Sequence, residues 1–253
     1  MVKKFAKRAL QAGLDRLGYS MTLTKMRVAS EPRTIHFLHI GKAAGSQVKG
    51  LAAQLNGRDG DVKILKHHHD VYLRELPKDC EYFFSIRNPI TRFKSGFYSR
   101  KRKGQPKLYI DWTAHEAQAF ADFEHANDLA EALFRDDATG DRAWMAMKAI
   151  QHTAQNQSDW FYLRGALFEV QPPIWIIRQE HFEDDLKEFM ARADLGVDPS
   201  TLQIARDKVG AHANDYTDIP ELSELAQENL RRWYAQDVAF YAACTRWLEA
   251  QRG

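Results

Sequence analysis

Three groups of residues have the types and spacing to do chemistry. The stretch HIGKAAGSQV, residues 39–48, sets a single lysine, Lys42, among Gly41, Ala43, Ala44 and Gly45, between an apolar run and a helix start. Small residues let backbone approach a ligand closely, and the first turn of a helix offers unpaired N–H groups to an anion. The lysine adds a mobile positive charge. The stretch SIRNPITRFKSGFYSR, residues 85–100, repeats the plan: Arg87 ends an apolar run, Asn88-Pro89 starts a helix, and Ser95 follows two turns on. A guanidinium fork and a hydroxyl so spaced can share one phosphate. Between the two lies KHHHD, with His67, His68 and His69. Imidazole titrates near neutrality and suits the removal of a hydroxyl proton.

Each group also has a plainer reading. The first is a tight turn with an exposed lysine. The second is a helix burying Ile90, Phe93 and Phe97. The histidines are polar residues at a strand end, or His67 and His69 ligate a metal for which no third ligand is evident. The first loop is not a Walker A motif, whose lysine comes late and precedes Ser or Thr.

The elements that must position these groups follow from periodicity. TIHFLHI (34–40), DVKILKHH (61–68), CEYFFSI (80–86) and PIWIIRQE (173–180) read as strands. Val48, Leu51, Ala52 and Leu55 mark a helix after the first loop, with Ser46 as its N-cap and Gly57 as its stop. Residues 111–168 read as helices, among them 114–134 and 142–152, and the chain is helical again from Pro220. Strands alternating with helices predict an α/β fold, a central parallel sheet flanked by helices in three layers. In such sheets ligands bind at the carboxyl ends of the strands, where Lys42 and Arg87 fall.

The chain has 253 residues and a net charge of +2, which gives no ground for a nucleic-acid partner. Its two cysteines, Cys80 and Cys244, form no disulfide framework and suit the cytoplasm. There is no run of membrane-span length. Residues 1–30 form a basic helical extension, with Val2, Phe5, Ala6, Ala9 and Leu10 on one stripe. Such a helix packs on a domain edge or makes, at most, peripheral contact with an anionic membrane. We read 1–253 as one domain, with 111–170 a helical insertion on the acceptor side that offers Trp112, Trp144, Trp160 and His152. The basic run RKRKGQPK (100–107) reads as a solvated helix end, or as a contact for an anionic acceptor or phosphates.

FLHIGKAAGSQV and SIRNPITRFKSGFYSR together resemble the two nucleotide signatures of the PAPS-dependent sulfotransferases, in their carbohydrate branch. IIRQEHFEDDLKEFM (176–190) and VGAHANDY (209–216) agree more weakly. The resemblance implies a P-loop-like fold and transfer of a sulfuryl group from PAPS (3′-phosphoadenosine 5′-phosphosulfate) to an acceptor hydroxyl, without metal. It implies that Gly41, Lys42, Ala43, Ala44, Gly45, Ser46 and Gln47 hold the 5′-phosphosulfate and that Lys42 assists the leaving group. It further implies that Arg87 and Ser95 hold the 3′-phosphate, that Asn214 returns to the nucleotide, and that His69, with His67 second, is the base. Gly41, Ala43 and Gln47 depart from the family's proline, threonine and serine. An inactive anion- or glycan-binding module on the same fold is the alternative. A kinase is a weaker one, since neither strand leads to an aspartate for Mg²⁺.

Overall fold

The computed structural model describes residues 32–58, 62–206 and 215–252. The basic N-terminal stripe and Asn214 lie outside them. Four strands form one sheet: β1 (Arg33–Leu38), β2 (Val62–Lys66), β3 (Glu81–Ile86) and β4 (Ile176–Arg178), in the order β2-β1-β3-β4. Every pairing is parallel, with Phe37 opposite Lys66 on one side and Phe83 on the other. The two central strands are buried beyond their first residues, and their apolar side chains Ile35, Phe37, Leu38, Phe83, Phe84 and Ile86 lie in the core, as in strands covered on both faces.

The order places a topological switch between β1 and β3. From β1 the chain passes through α1 (Gly45–Asn56) outward to β2; from β3 it passes through α2 (Pro89–Lys101) and on to β4, on the other side. Loops leaving two neighbouring strands in opposite directions open a crevice at their carboxyl ends. The fold is thus α/β with a parallel sheet between helices, as the alternation predicts.

Beyond α2 come α3 (Ala114–Asp122), α4 (Ala126–Ala132), α5 (Ala138–Ala149) and the single turn α6 (Leu167–Val170). The segment 114–134 is two helices because the chain turns at Phe123, which is buried. His125 then begins a new turn, its N–H donating to Asp128 at 2.9 Å. After β4 follow α7 (Phe182–Arg192), α8 (Glu224–Trp233) and α9 (Ala235–Arg252).

Two cores result. One gathers the sheet, α1, α7 and α9 around Phe37, Phe83, Phe84 and Trp175. The other is helical: Phe93 and Phe97 of α2 pack with side chains of α3, α4, α5 and α8, among them Leu129, Met147 and Leu230. Helix α2 buries its apolar face in the helical core, and its Ser95 and Ser99 face the crevice.

Candidate functional site

A cleft of about 670 Å³ opens at the switch point. Lys42, Lys49, Lys66, Arg87, Lys107 and Arg206 line it, and among its described lining residues there is no aspartate or glutamate. One wall is the loop 39–44 with the start of α1. Lys42 (φ 65°) and Ala44 (φ 59°) are both left-handed, a conformation uncommon outside glycine that is concentrated in functional loops. They turn the chain so that the helix begins at Gly45. Ser46 is therefore not the N-cap. That place falls to Ala44, no side chain caps the helix, and no acidic residue stands in its first turn. The Ser46 hydroxyl instead accepts from Lys107 at 3.3 Å. An uncapped helix start leaves N–H groups and the positive end of the dipole for a ligand.

Gly45 is glycine for a local reason. A Cβ there would lie 1.7 Å from His39 Nε2. Of the sequence-derived loop residues, Lys42, Ala44, Gly45, Ser46 and Gln47 line the cleft; Gly41 and Ala43 do not. The Gly41 carbonyl accepts from Arg92 Nε at 3.0 Å, and the buried Ala43 gives its carbonyl to the Ser85 hydroxyl. Gln47 lines the cleft while its amide donates to the Ala205 carbonyl at 3.2 Å.

The opposite wall is Arg87 with α2. Asn88 caps that helix through Ile90 N–H at 3.0 Å, as its position predicts. Ser95 and, one turn on, Ser99 face the cleft with Arg87, while the Arg87 Nε donates to Thr91 at 3.0 Å. Both walls are fixed by one buried network. Arg92, fully buried, holds the Gly41 carbonyl and, at 2.8 Å, the Gln155 carbonyl, and it lies 3.9 Å from Asp237. Asp237 accepts from the N–H groups of Gln157 and Ser158, and the Gln157 amide bonds both backbone groups of Arg87 at 2.9 and 2.7 Å. A lone buried charge would be costly; here Nε and Nη1 are hydrogen-bonded and Asp237 lies near, while Nη2 has no partner among the described residues.

Lys42 is half-buried. Loss of water first, then the like charges of Arg87, Arg102 and Arg92, lower its ammonium from 10.5 to about 7.

The three histidines of KHHHD separate. Strand β2 stops at Lys66, so the alternation that would put His67 and His69 on one face ends before either. His67 turns to His36, nitrogen to nitrogen at 2.8 Å with the rings stacked, and does not reach the cleft. His69 does reach it, its ring 3.8 Å from that of His39 and 6.2 Å from that of His152. Trp160 donates to the His69 carbonyl at 3.0 Å and anchors it. Burial, chiefly, holds His69 below its ordinary value and His39 down to about 2. Among the described residues, no three His, Cys, Asp or Glu side chains are placed to hold a metal ion.

The basic run divides its labour. Arg100 is buried on Glu116 at 2.7 Å, Lys101 and Lys103 pair with Glu124 and Asp111, and Lys107 reaches the cleft. Sequence reasoning gave His39 and Ser99 no role at this site, offered His152 only to an acceptor pocket, and reached Lys107 only as part of the basic run 100–107. The signal for His39 was one polar residue closing an apolar run; nothing local marked His152. Trp112 donates to the Arg100 carbonyl at 2.7 Å, Trp160 is in the core, and Trp144 is exposed. No helix among the described residues is long and apolar enough to cross a membrane. No protein-family model matches the chain, and no curated protein matches it in sequence.

Proposed function

We propose that this protein is a PAPS-dependent sulfotransferase acting on an acceptor hydroxyl, by resemblance that of a carbohydrate. One observation carries the reading: a cleft at the switch point whose described lining residues include no carboxylate, with Lys42 and an uncapped helix start on one wall, Arg87 and Ser95 on the other, and His69 beside Lys42. The residues fit an adenine nucleotide with anionic groups at both ends. Gln179 adds an acceptor, its buried Oε1 without a partner at the cleft, suited to the amino group of a purine.

When bound, PAPS supplies the sulfuryl group: the acceptor oxygen bonds to sulfur as the sulfur–oxygen bond to the 5′-phosphate breaks, its electron pair staying on the phosphate, to give a sulfate ester and PAP (adenosine 3′,5′-bisphosphate). The loop N–H groups and Lys42 hold the 5′ end. Lys42 donates to the oxygen on which charge grows, an interaction stronger in the transition state than before it, which is what raises turnover. His69, neutral near pH 7 and held by Trp160, takes the acceptor's proton. Arg87 and Ser95, with Ser99, hold the 3′-phosphate. Lys49, Lys66 and Lys107 favour an acceptor that itself carries negative charge. Cys80 and Cys244 are free thiols, which supports a cytoplasmic setting.

Calorimetric titration with PAP tests the reading. PAP binds equally well with and without EDTA; absence of binding, or its loss in EDTA, refutes it. Transfer of labelled sulfate from PAPS to an acceptor separates an enzyme from a binding module.

A further inference from the structure

His152 stands in the cleft without a role, and its setting is unusual. It is a non-glycine residue at φ 76°, and its neighbours hold it there. On one side the Gln151 N–H donates to Glu116 at 3.1 Å, a carboxylate itself gripped by Arg100. On the other, the Thr153 hydroxyl donates to the Met147 and Ile150 carbonyls at 2.6 and 2.8 Å, and the Thr153 carbonyl accepts from Tyr234 at 2.6 Å. A sparsely populated backbone conformation fixed from both sides is where function is to be sought.

The ring is packed as deliberately as the backbone. A Cβ on Gly41 would come to 3.1 Å of His152 Nδ1, and one on Gly96 to 3.4 Å of its Cβ. His152 is thus seated between the residue before Lys42 and the residue after Ser95. It meets His69 edge-on across 6.2 Å, and no described side chain hydrogen-bonds its ring. The same seat explains Gly41, the departure from the family's proline: a larger residue there would press on this ring.

Resting on the reading above, we propose that His152 is a second catalytic histidine, donating a ring N–H to the sulfuryl group from the side opposite His69. It is not a second base. Burial first, then the charges of Lys42 and Arg92, the neighbouring His69 and Arg100, bring it down to about 3, so it stays neutral and takes up no proton near pH 7. A neutral imidazole presents an N–H to the charged oxygens that the sulfuryl group already carries in PAPS, without carrying a charge of its own. His69 receives the proton; His152 steadies the oxygens of the group in transfer.

The test compares PAP, which lacks the sulfuryl group, with PAPS. His152→Gly removes the ring and accepts the left-handed backbone; His152→Asn keeps an N–H donor and also tolerates that backbone. Calorimetry on the full chain should show PAP affinity unchanged in both variants. PAPS affinity falls about tenfold in the glycine variant, the scale of one lost hydrogen bond to a charged group, and partly recovers in the asparagine variant. In the unsubstituted protein, a ¹⁵N-histidine spectrum, with His152 assigned from the asparagine variant, shifts at that ring on adding PAPS and not PAP. Equal loss of both nucleotides places His152 on the phosphates and overturns the proposal, as does an unchanged PAPS:PAP ratio with no spectral shift. If the unsubstituted protein binds neither nucleotide, the sulfotransferase reading itself has failed.

Discussion

At the scale of single residues, position relative to the cleft separates side chains that the sequence presents as equals. His67 and His69 are two apart, yet one is spent on His36 and the other faces Lys42. His69→Ala therefore lowers kcat by about 10²–10⁴-fold, the range for loss of a general base, while PAP affinity stays. His67→Ala keeps the rate; equal losses in the two variants would mean that the triplet acts through the fold of the loop. Lys42 gives a pH signature. Free, it is brought down to about 7 by burial first and then by the charges of Arg87, Arg102 and Arg92. An anion at its side raises that value, so binding above pH 7 requires proton uptake. PAP affinity is full below pH 7 and falls as pH rises through and beyond it, by up to about tenfold per unit for one coupled proton. Calorimetry in buffers of different ionisation enthalpy reads that uptake directly, and Lys42→Ala abolishes it. At the acid end, activity falls only below the ordinary imidazole value, because His69 is itself held down.

At the scale of elements, much was legible and the remainder has a physical cause. Buried parallel strands are apolar runs, so β1 and β3 stand out in the sequence, and Lys42 and Arg87 are visible because each follows such a run. The N-cap of α1 was not legible. Ser46 has the right side chain, but the helix start is set by two left-handed residues, and no local preference of Lys or Ala announces them. The sequence offers His152 to an acceptor pocket, but its place beside Lys42 and Ser95 was not legible, since that place is defined by Gly41, Gly96 and Tyr234, each distant in sequence. The first loop and α1 are joined through Gly45, which leads to a prediction at this scale. Gly45→Ala drives a methyl into His39, whose ring lies tilted against His69, centroids 3.8 Å apart, and cannot swing away freely. Overpacking of this kind costs about 1–3 kcal/mol, measured by denaturant unfolding. Because the strain runs through His39 to His69, turnover falls further than stability alone accounts for. Gly50→Ala, with open space at its Cβ, serves as the control and raises stability slightly through helix propensity.

At the scale of the whole molecule, a net charge of +2 conceals its distribution. Positive charge is gathered into one cleft from α1, β2, α2 and the segment after it, and the lining supplies no carboxylate among the described residues. The network of Arg92, Asp237 and Gln157 holds the walls in place against this repulsion, so the free protein carries a standing electrostatic penalty at the site. A ligand that neutralises the cleft removes that penalty and stabilises only the folded state. At a PAP concentration one hundred times its dissociation constant, the gain is about 2.7 kcal/mol. For a chain of this size that corresponds to a rise in Tm of about 5–10 °C. Inorganic sulfate gives a smaller rise in the same direction, because it meets one anion site at a time. The shift is greatest below pH 7, where Lys42 is charged, and shrinks above it. Arg87→Ala removes most of the gain from PAP but leaves the response to sulfate at the Lys42 loop, since the two walls bind different groups. A melting temperature indifferent to PAP and to sulfate would show that the cleft is not an anion site, and an equal loss of both responses in Arg87→Ala would show that its two walls do not act separately.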